Sequence, residues 1–233
     1  MITFVIPVYN EEKVMLQNIL KLSDFLKKNK HEYEIIIAED GSTDNSLEIA
    51  KKIESENKKI RVISTKERLG RGASIAKAIG LSKGEIVFYM DADLASDLRH
   101  VNEVIDEIKK GADIVTGSRL KKDARIANRT LGREIASRGY NYLIKILFSS
   151  KIHDHQCGFK AFRKSRIEPL LKNIKDKHWF WDTELLIHAQ KKKLNVKEVA
   201  IVWLDRKGSS VRLKTDILYM GSSAIKLWLG RTD

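Results

Sequence analysis

The chain has one cysteine in 233 residues, Cys157, which excludes an internal disulfide. No charged-then-apolar leader opens it. No apolar run approaches the roughly 18 to 20 residues that a bilayer-spanning helix needs, the longest candidates being short segments such as 199-VAIVWL-204. The expectation is a cytoplasmic protein without a transmembrane anchor. Internal repeats, low-complexity tracts and Pro- or Gly-rich linkers are also missing, so a single domain over 1–233 is expected. What the chain has in excess is positive charge: 44 Lys and Arg against 31 Asp and Glu, a net +13. That balance favours polyanionic partners such as nucleic acid, an acidic membrane face or phosphorylated substrates, without choosing among them. Hydrophobic residues make up 42% of the chain, enough to fill a core.

The first half alternates short apolar runs with amphipathic stretches. Strands are expected at 2–8, 33–38, 60–64, 85–90 and 113–117, with helices at about 12–28, 45–57, 72–82 and 101–110 between them. Asp44 or Asn45 is placed to cap the second helix. This pattern predicts an α/β fold with a mostly parallel sheet flanked by helices. In such sheets ligands bind at the carboxyl ends of strands, where Asp40, Asp91 and Asp93 all fall. In 86-IVFYMDADLASD-97 an extended backbone would put Asp91 and Asp93 on one side, where their charges repel unless a cation lies between them. A surface turn carrying two acids is the alternative, and a third acid at the same sheet edge argues against it.

Beyond residue 118 the character changes. Between 119 and 145 there are eight basic residues (Arg119, Lys121, Lys122, Arg125, Arg129, Arg133, Arg138 and Lys145) against two acids, more than solubility requires. Leu131, Ile135, Tyr142 and Ile146 keep helical spacing, which would set Arg129 and Arg133 together away from the apolar stripe. A late strand is expected within 194–203 and an amphipathic helix over 215–230. Residues 1–118 and 119–233 thus read as two halves of one domain.

Ordered motifs carry a resemblance. The stretches 4-FVIPVYNEE-12, 39-EDGSTDNS-46, 66-KERLGRGASIAKAIGLSKGE-85, 90-MDADL-94 and 117-GSR-119 resemble the inverting family-two glycosyltransferases of GT-A (nucleotide-diphospho-sugar transferase) fold. The stretches 133-REIASRGYN-141, 154-DHQCGFKAF-162, 179-WFWDTELL-186 and 203-WLDRKGSSVR-212 are similar to the polyprenyl-phosphate sugar transferases, nearest the dolichyl-phosphate glucosyltransferase branch. The resemblance implies transfer of a hexose, glucose from UDP-glucose, to dolichyl or polyprenyl phosphate. The dolichyl-phosphate mannose synthase branch, using GDP-mannose, is the neighbouring alternative. A nucleotidyltransferase lacks its glycine-rich N-terminal loop here, and a non-catalytic module binding RNA or an anionic membrane would not need the three acids.

The resemblance also implies residue roles. Pro7, Tyr9, Glu11, Asp40, Gly70, Arg71 and Asp91 would line the nucleotide-sugar site, with Asp40 at the base. Asp93 and Asp91 would meet Mg²⁺ or Mn²⁺, and Asp91, Asp93 and Asp182 would be catalytic. Hard oxygen ligands suit these ions, which usually keep waters and take phosphate oxygens as well. Ala95 stands where the mannosyl branch often has a polar residue, so water or Asp97 would take its place. Arg119, Arg133, Arg138 and Arg206 would bind the acceptor phosphate through forked, permanently charged guanidinium groups. Ser210 stands where relatives commonly have Lys. Asp154, Gln156 and Glu184 would serve an acceptor or sugar loop. No G-x-S-x-G motif or Cys–His pair of nucleophile spacing is found, and none is needed if an ionised lipid phosphate attacks directly. The run 153-HDHQC-157 could be mistaken for a zinc site but lacks a second ligand pair. The implied partners are a nucleotide-diphosphate sugar, polyprenyl phosphate and an anionic membrane surface on the cytoplasmic side, with no nucleic acid. The basic segment and Ile217, Met220, Ala224 and Trp228 of the last helix would dock there, unless that helix packs on the core.

Overall fold

A computed structural model describes residues 1–205 and 213–231. The elements run in order β1 (Ile2–Val8), α1 (Met15–Lys28), β2 (Tyr33–Glu39), α2 (Ser46–Glu56), β3 (Ile60–Ser64), α3 (Arg71–Leu81), β4 (Ile86–Met90), α4 (His100–Lys109) and β5 (Ile114–Ser118). There follow β6 (Arg125–Ala127), α5 (Leu131–Phe148), β7 (Phe159–Arg163), α6 (Lys164–Leu171), α7 (Trp181–Lys191), β8 (Val196–Ala200), β9 (Val202–Leu204) and α8 (Leu213–Trp228). The main sheet has the order β3-β2-β1-β4-β7-β5-β8. All its pairings are parallel except those of β7, which runs antiparallel between β4 and β5. β6 and β9 form a separate parallel ribbon.

The central strands are apolar on both faces because helices cover both. Along β1 the side chains alternate: Phe4, Ile6 and Val8 join one core layer, and Val5 joins the other. The first layer takes Met15, Ile19, Leu22 and Leu26 of α1 and Val101, Val104, Ile105 and Ile108 of α4, each a stripe of three- and four-residue steps. The second takes Ile75, Ala78 and Ile79 of α3 and Trp181, Leu185 and Leu186 of α7. Removing the fully buried Trp181 indole would cost about 3–5 kcal/mol and detach α7 from the sheet. At the start of α2 the Asp44 carboxylate, not the Asn45 side chain, accepts the Ser46 amide at 2.9 Å.

The second half departs from the sequence reading in three places. The 154–162 motif is not wholly a loop, since its end forms β7 inside the sheet. The late strand breaks at Ile201: β8 extends the main sheet, and β9 crosses to the ribbon. In α5 the apolar stripe exists but faces outward, with Leu131, Ile135, Tyr142 and Ile146 exposed by 81, 70, 67 and 61%. The buried side is Ser137, Tyr140, Asn141 and Ile144. Arg129 precedes the helix, whose Thr130 cap accepts the Arg133 amide, so the two arginines do not share a helical face.

A small third core joins α5, α7 and α8 through Tyr140, Ile144, Phe180, Ile187, Met220 and Ala224. Met220 and Ala224 are therefore packed, Ile217 lies against them, and only Trp228 of the expected membrane-facing stripe is exposed. Leu218, Ile225 and Leu229 are the other exposed large apolar side chains of this segment's outer side. Among the described residues no helix is long and apolar enough to cross a membrane.

Candidate active site

The site forms where β1, β2, β4 and β5 end. Just past β1, Tyr9 carries the Arg68 guanidinium 3.7 Å above its ring, and Glu11 turns into the sheet edge. Pro7, half-buried, pairs in register with Ala38 of β2. Burial pushes the Glu11 carboxyl up to about 7, and the nearby Asp93, Asp91 and Asp44 charges push the same way. Asp91 and Asp93 thus converge with Glu11 on one acidic corner. They do so through a turn, not through an extended backbone, since the Asp91 carbonyl accepts the Leu94 amide at 3.1 Å. Asp93 also accepts the Ala95 amide at 3.0 Å. The proposed stand-in ligand Asp97 is held by Arg99 through two guanidinium bonds of 2.9 and 2.7 Å.

This corner fits a hard divalent cation: the Asp93 and Asp91 charges raise the proton affinity of Glu11, and all three are oxygen donors. Among the described residues no three His, Cys, Asp or Glu side chains come close enough to hold a metal by themselves. A cation here would take phosphate oxygens and water beside Asp93 and its neighbours.

Several expected nucleotide residues are engaged with the protein. Asp40 is buried and accepts the Leu69 and Gly70 amides at 2.7 and 2.9 Å, so it ties down the turn into α3. A base would have to use the lone pairs left over. Gly70 and Gly72 are needed for packing. A Cβ at Gly70, with φ of 105°, would lie 2.4 Å from the Lys177 carbonyl, and one at Gly72 would lie 2.4 Å from the Trp181 Cβ. Room for the 177–181 segment accounts for both glycines. Arg71 between them bridges two acids, donating to Asp91 Oδ1 at 2.6 Å and Asp182 Oδ2 at 2.8 Å. Asp182 is buried and also bonded to Tyr89 and Lys160, which leaves it no open side toward a substrate; its expected catalytic role becomes a positioning one.

The basic side is likewise built from pairs. Arg119 donates Nε and Nη2 to Asp154 at 2.7 and 2.9 Å, and its backbone N–H adds a third bond at 3.0 Å. Burial alone would raise the Asp154 carboxyl, but this guanidinium outweighs it and holds the group well below the usual carboxylate range. Asp154 is therefore the partner of Arg119 and not a free loop acid. Gln156 donates to Met220 Sδ at 3.3 Å. Glu184 accepts the Lys175 and Asp176 amides and shapes that turn instead of a sugar site. Arg133 spans both Asp205 oxygens at 2.8 and 2.9 Å, and the exposed Arg138 meets Glu134 at 2.6 Å. Arg206, Lys207, Ser210 and Arg212 lie outside the described residues.

A cavity of about 620 Å³ opens among Arg119, Lys121, Lys122, Arg129 and Arg138, with Glu134 its one acid and Leu131 at its wall. Arg129 was not among the acceptor-phosphate candidates. Its side chain is only 10% exposed, and its Nη1, 3.2 Å from Glu134, has no hydrogen bond. Burial and then the Arg119 charge depress its proton affinity, so an anion in this cavity would relieve it. The clue in sequence was its place in the basic run, although nothing local singles it out. Arg119 links cavity and acidic corner: it stacks 5.0 Å from Trp203, whose strand bridges to Ser96 beside the acidic turn. In 153-HDHQC-157, His155 is buried between Asn141 and Ser150, and burial pushes the Cys157 thiol up to about 12.

The glycosyltransferase AglD of Haloferax volcanii is 38% identical over 232 residues, covering 97% of this chain and 37% of that protein. The human dolichyl-phosphate beta-glucosyltransferase is 31% identical over 241 residues, covering 96% of this chain and 74% of that protein. The chain thus spans little more than a third of one curated relative and about three quarters of another. Glucosyl-3-phosphoglycerate synthase from Mycobacterium tuberculosis, solved with uridine diphosphate, superposes with a TM-score of 0.71 at 18% identity, covering all of this chain and 80% of that one. This likeness carries the GT-A fold. Residues 3–171, which include the acidic corner and β7, match the model of glycosyl transferase family 2. With that match and these relatives, the chain belongs to glycosyl transferase family 2.

Proposed function

We propose that the protein transfers glucose from UDP-glucose to dolichyl or another polyprenyl phosphate, with inversion. One observation carries this reading: an acidic corner suited to a cation and diphosphate adjoins a basic cavity suited to a phosphate, with Arg119 between them. Support comes from relatives named as dolichyl-phosphate beta-glucosyltransferases and from solved complexes of the fold neighbour with Mn²⁺, uridine diphosphate and phosphoglyceric acid.

The donor diphosphate lies over Glu11, Asp91 and Asp93, near the start of α3. Bound there, Mg²⁺ or Mn²⁺ would neutralise charge building on the departing diphosphate. The acceptor phosphate occupies the cavity and is oriented by Arg129 and Arg119, which line it. One of its oxygens forms the bond to the anomeric carbon as the bond to UDP breaks, and UDP leaves with the electron pair. An α-linked donor gives a β-linked product. Phosphate is ionised at neutral pH, so no protein base is required, and none is offered by Asp182, which is sealed under Arg71.

The exposed α5 stripe, which Arg138 interrupts, and the exposed Trp228 would set the protein on an anionic membrane as a peripheral protein at the cytoplasmic face. Incubating the protein with polyprenyl phosphate and a panel of UDP- and GDP-sugars tests the proposal. Product from UDP-glucose supports it. Exclusive use of GDP-mannose reassigns the sugar, and absence of transfer from every donor removes the enzymatic reading.

A further inference from the structure

The motif 154-DHQCGFK-160 contributes more than Asp154. Its end enters β7, and its residues at steps of two reach different parts of the site. At Gly158 the carbonyl accepts the Asp91 amide at 3.2 Å. A Cβ there would lie 2.0 Å from Asp91 Oδ2 and 2.5 Å from its Cγ, so the first carboxylate of the acidic pair rests on the bare Cα of this glycine. Two residues on, Lys160 is wholly buried. Its ammonium shares three N–H donors among four acceptors: Asp182 Oδ1 at 2.8 Å, the Tyr89 hydroxyl at 3.1 Å, the His155 carbonyl at 3.3 Å and the Cys157 carbonyl.

The connections close a ring. Lys160 holds one oxygen of Asp182, the other oxygen holds Nη1 of Arg71, and Nη2 of Arg71 holds Oδ1 of Asp91. The remaining Asp91 oxygen lies over Gly158, the residue just before β7. Two cations and two anions balance within the ring. An apolar side chain of similar volume in place of such buried ions is often neutral or stabilising. Stability alone therefore does not account for an ammonium at this depth, whereas orientation does. Without Lys160, Arg71 would be the sole cation for Asp182 and would be drawn off Asp91.

We infer that β7 and the glycine that leads into it form a positioning strut for the donor site: Gly158 by direct contact, and Lys160 through Asp182 and Arg71, together fix the Asp91 carboxylate. Neither residue touches substrate. The inference rests on the proposed donor site, deepening it.

The test uses the full chain with UDP binding by calorimetry in Mn²⁺, donor KM and kcat in the transfer assay, and thermal melting. Gly158→Ala is expected to lower donor kcat/KM about a hundredfold, the effect of misplacing a reacting geometry by roughly 1 Å, while Tm stays within about 3 °C. Lys160→Met is expected to show the same donor-side loss with a lower Tm. Adding Asp182→Asn to Lys160→Met should restore Tm by balancing charge without restoring donor KM. A merely structural role predicts lower Tm with wild-type KM and kcat in the folded fraction, and that result overturns the strut. If Lys160→Met does not fold, Gly158→Ala decides alone. Wild-type protein that binds no UDP removes the donor site and the strut with it; wild-type and variant proteins that bind and turn over UDP-glucose equally remove only the strut.

Discussion

The acidic corner and the basic cavity share Arg119 as a border, yet they treat charge in opposite ways. At the corner, Glu11, Asp91 and Asp93 crowd together, and burial plus mutual repulsion raise Glu11 to about 7. Asp91 has Arg71 at 2.6 Å, so the strain of the group falls on Glu11. In the cavity two of the three guanidinium groups already have a carboxylate, Arg119 with Asp154 and Arg138 with Glu134, and Arg133, whose carbonyl accepts from Arg129, has Asp205. An incoming phosphate must there share cations that the fold has paired, which fixes their geometry before the ligand arrives. Arg129 is the intermediate case, close to Glu134 but with a buried donor unused. The comparison teaches that one crowded carboxylate can be left strained at a strand end, whereas neighbouring guanidinium groups are held in place by internal salt bridges.

The sharpest way to break the contrast is Asp93→Asn, which removes a charge from the corner. Metal-dependent transfer should fall about a hundredfold or more, since metal stabilisation of a leaving group is worth several kcal/mol. Single-turnover assays with and without Mn²⁺ check it, and circular dichroism should show an unchanged fold. In the cavity, Arg129→Met should raise the KM for polyprenyl phosphate about tenfold or more, a charged hydrogen bond being worth about 1.5–3 kcal/mol. Arg133→Ala should cost less, because Arg133 does not line the cavity and its Nη1 is already engaged by both Asp205 oxygens. Binding of UDP should survive both changes. A larger effect at Arg133 than at Arg129 would reverse the ranking drawn from pairing.

A milder change comes from pH. Glu11 keeps its proton in the folded protein up to about 7, whereas the unfolded chain loses it near 4.5. Below the unfolded value the group contributes equally to both states; as pH rises toward 7 the folded state is progressively disfavoured. Metal-free protein should therefore melt lower at pH 8 than at pH 6, with Glu11→Gln flattening that slope and Mn²⁺ raising Tm more at pH 8. Melting curves across pH for the two proteins measure it. The smallest effect is expected at the surface. Trp228→Ser should weaken binding to anionic liposomes only a few-fold, about 1 kcal/mol for an indole that is already half-buried. Sedimentation with vesicles at low and high salt reads this, and the α5 stripe should matter more than Trp228.

The acidic pair and the strand ends were legible because they are local: an apolar run ending in Asp91 and Asp93 announces itself within a few residues. The first five strands and four helices follow from periodicity, and the structure has them within a few residues of expectation. The role of Asp182 was hidden because its partners Tyr89 and Arg71 lie 93 and 111 positions earlier in the chain. β7 escaped notice because Lys160, a charge in mid-strand, breaks the apolar run that would mark a buried strand. For α5, spacing told which residues share a face, but not whether protein lies against that face. At Gly70 and Gly72 the sequence shows only small residues, and the fold adds that the Lys177 carbonyl and Trp181 need the space.

The antiparallel strand has one more consequence, in the order of assembly. β1 to β4 can join as soon as residue 90 is made, for their pairings β3-β2-β1-β4 are complete among themselves. β5 cannot join them, because its only partners are β7 and β8. Until residue 163 has emerged, β4 keeps an open edge, and Asp91 has neither Gly158 beneath it nor the ring that Lys160 closes. The growing chain therefore carries its acidic pair on an unfinished sheet, and the last long-range pairings, the slow ones to form, are those that put the carboxylate in place.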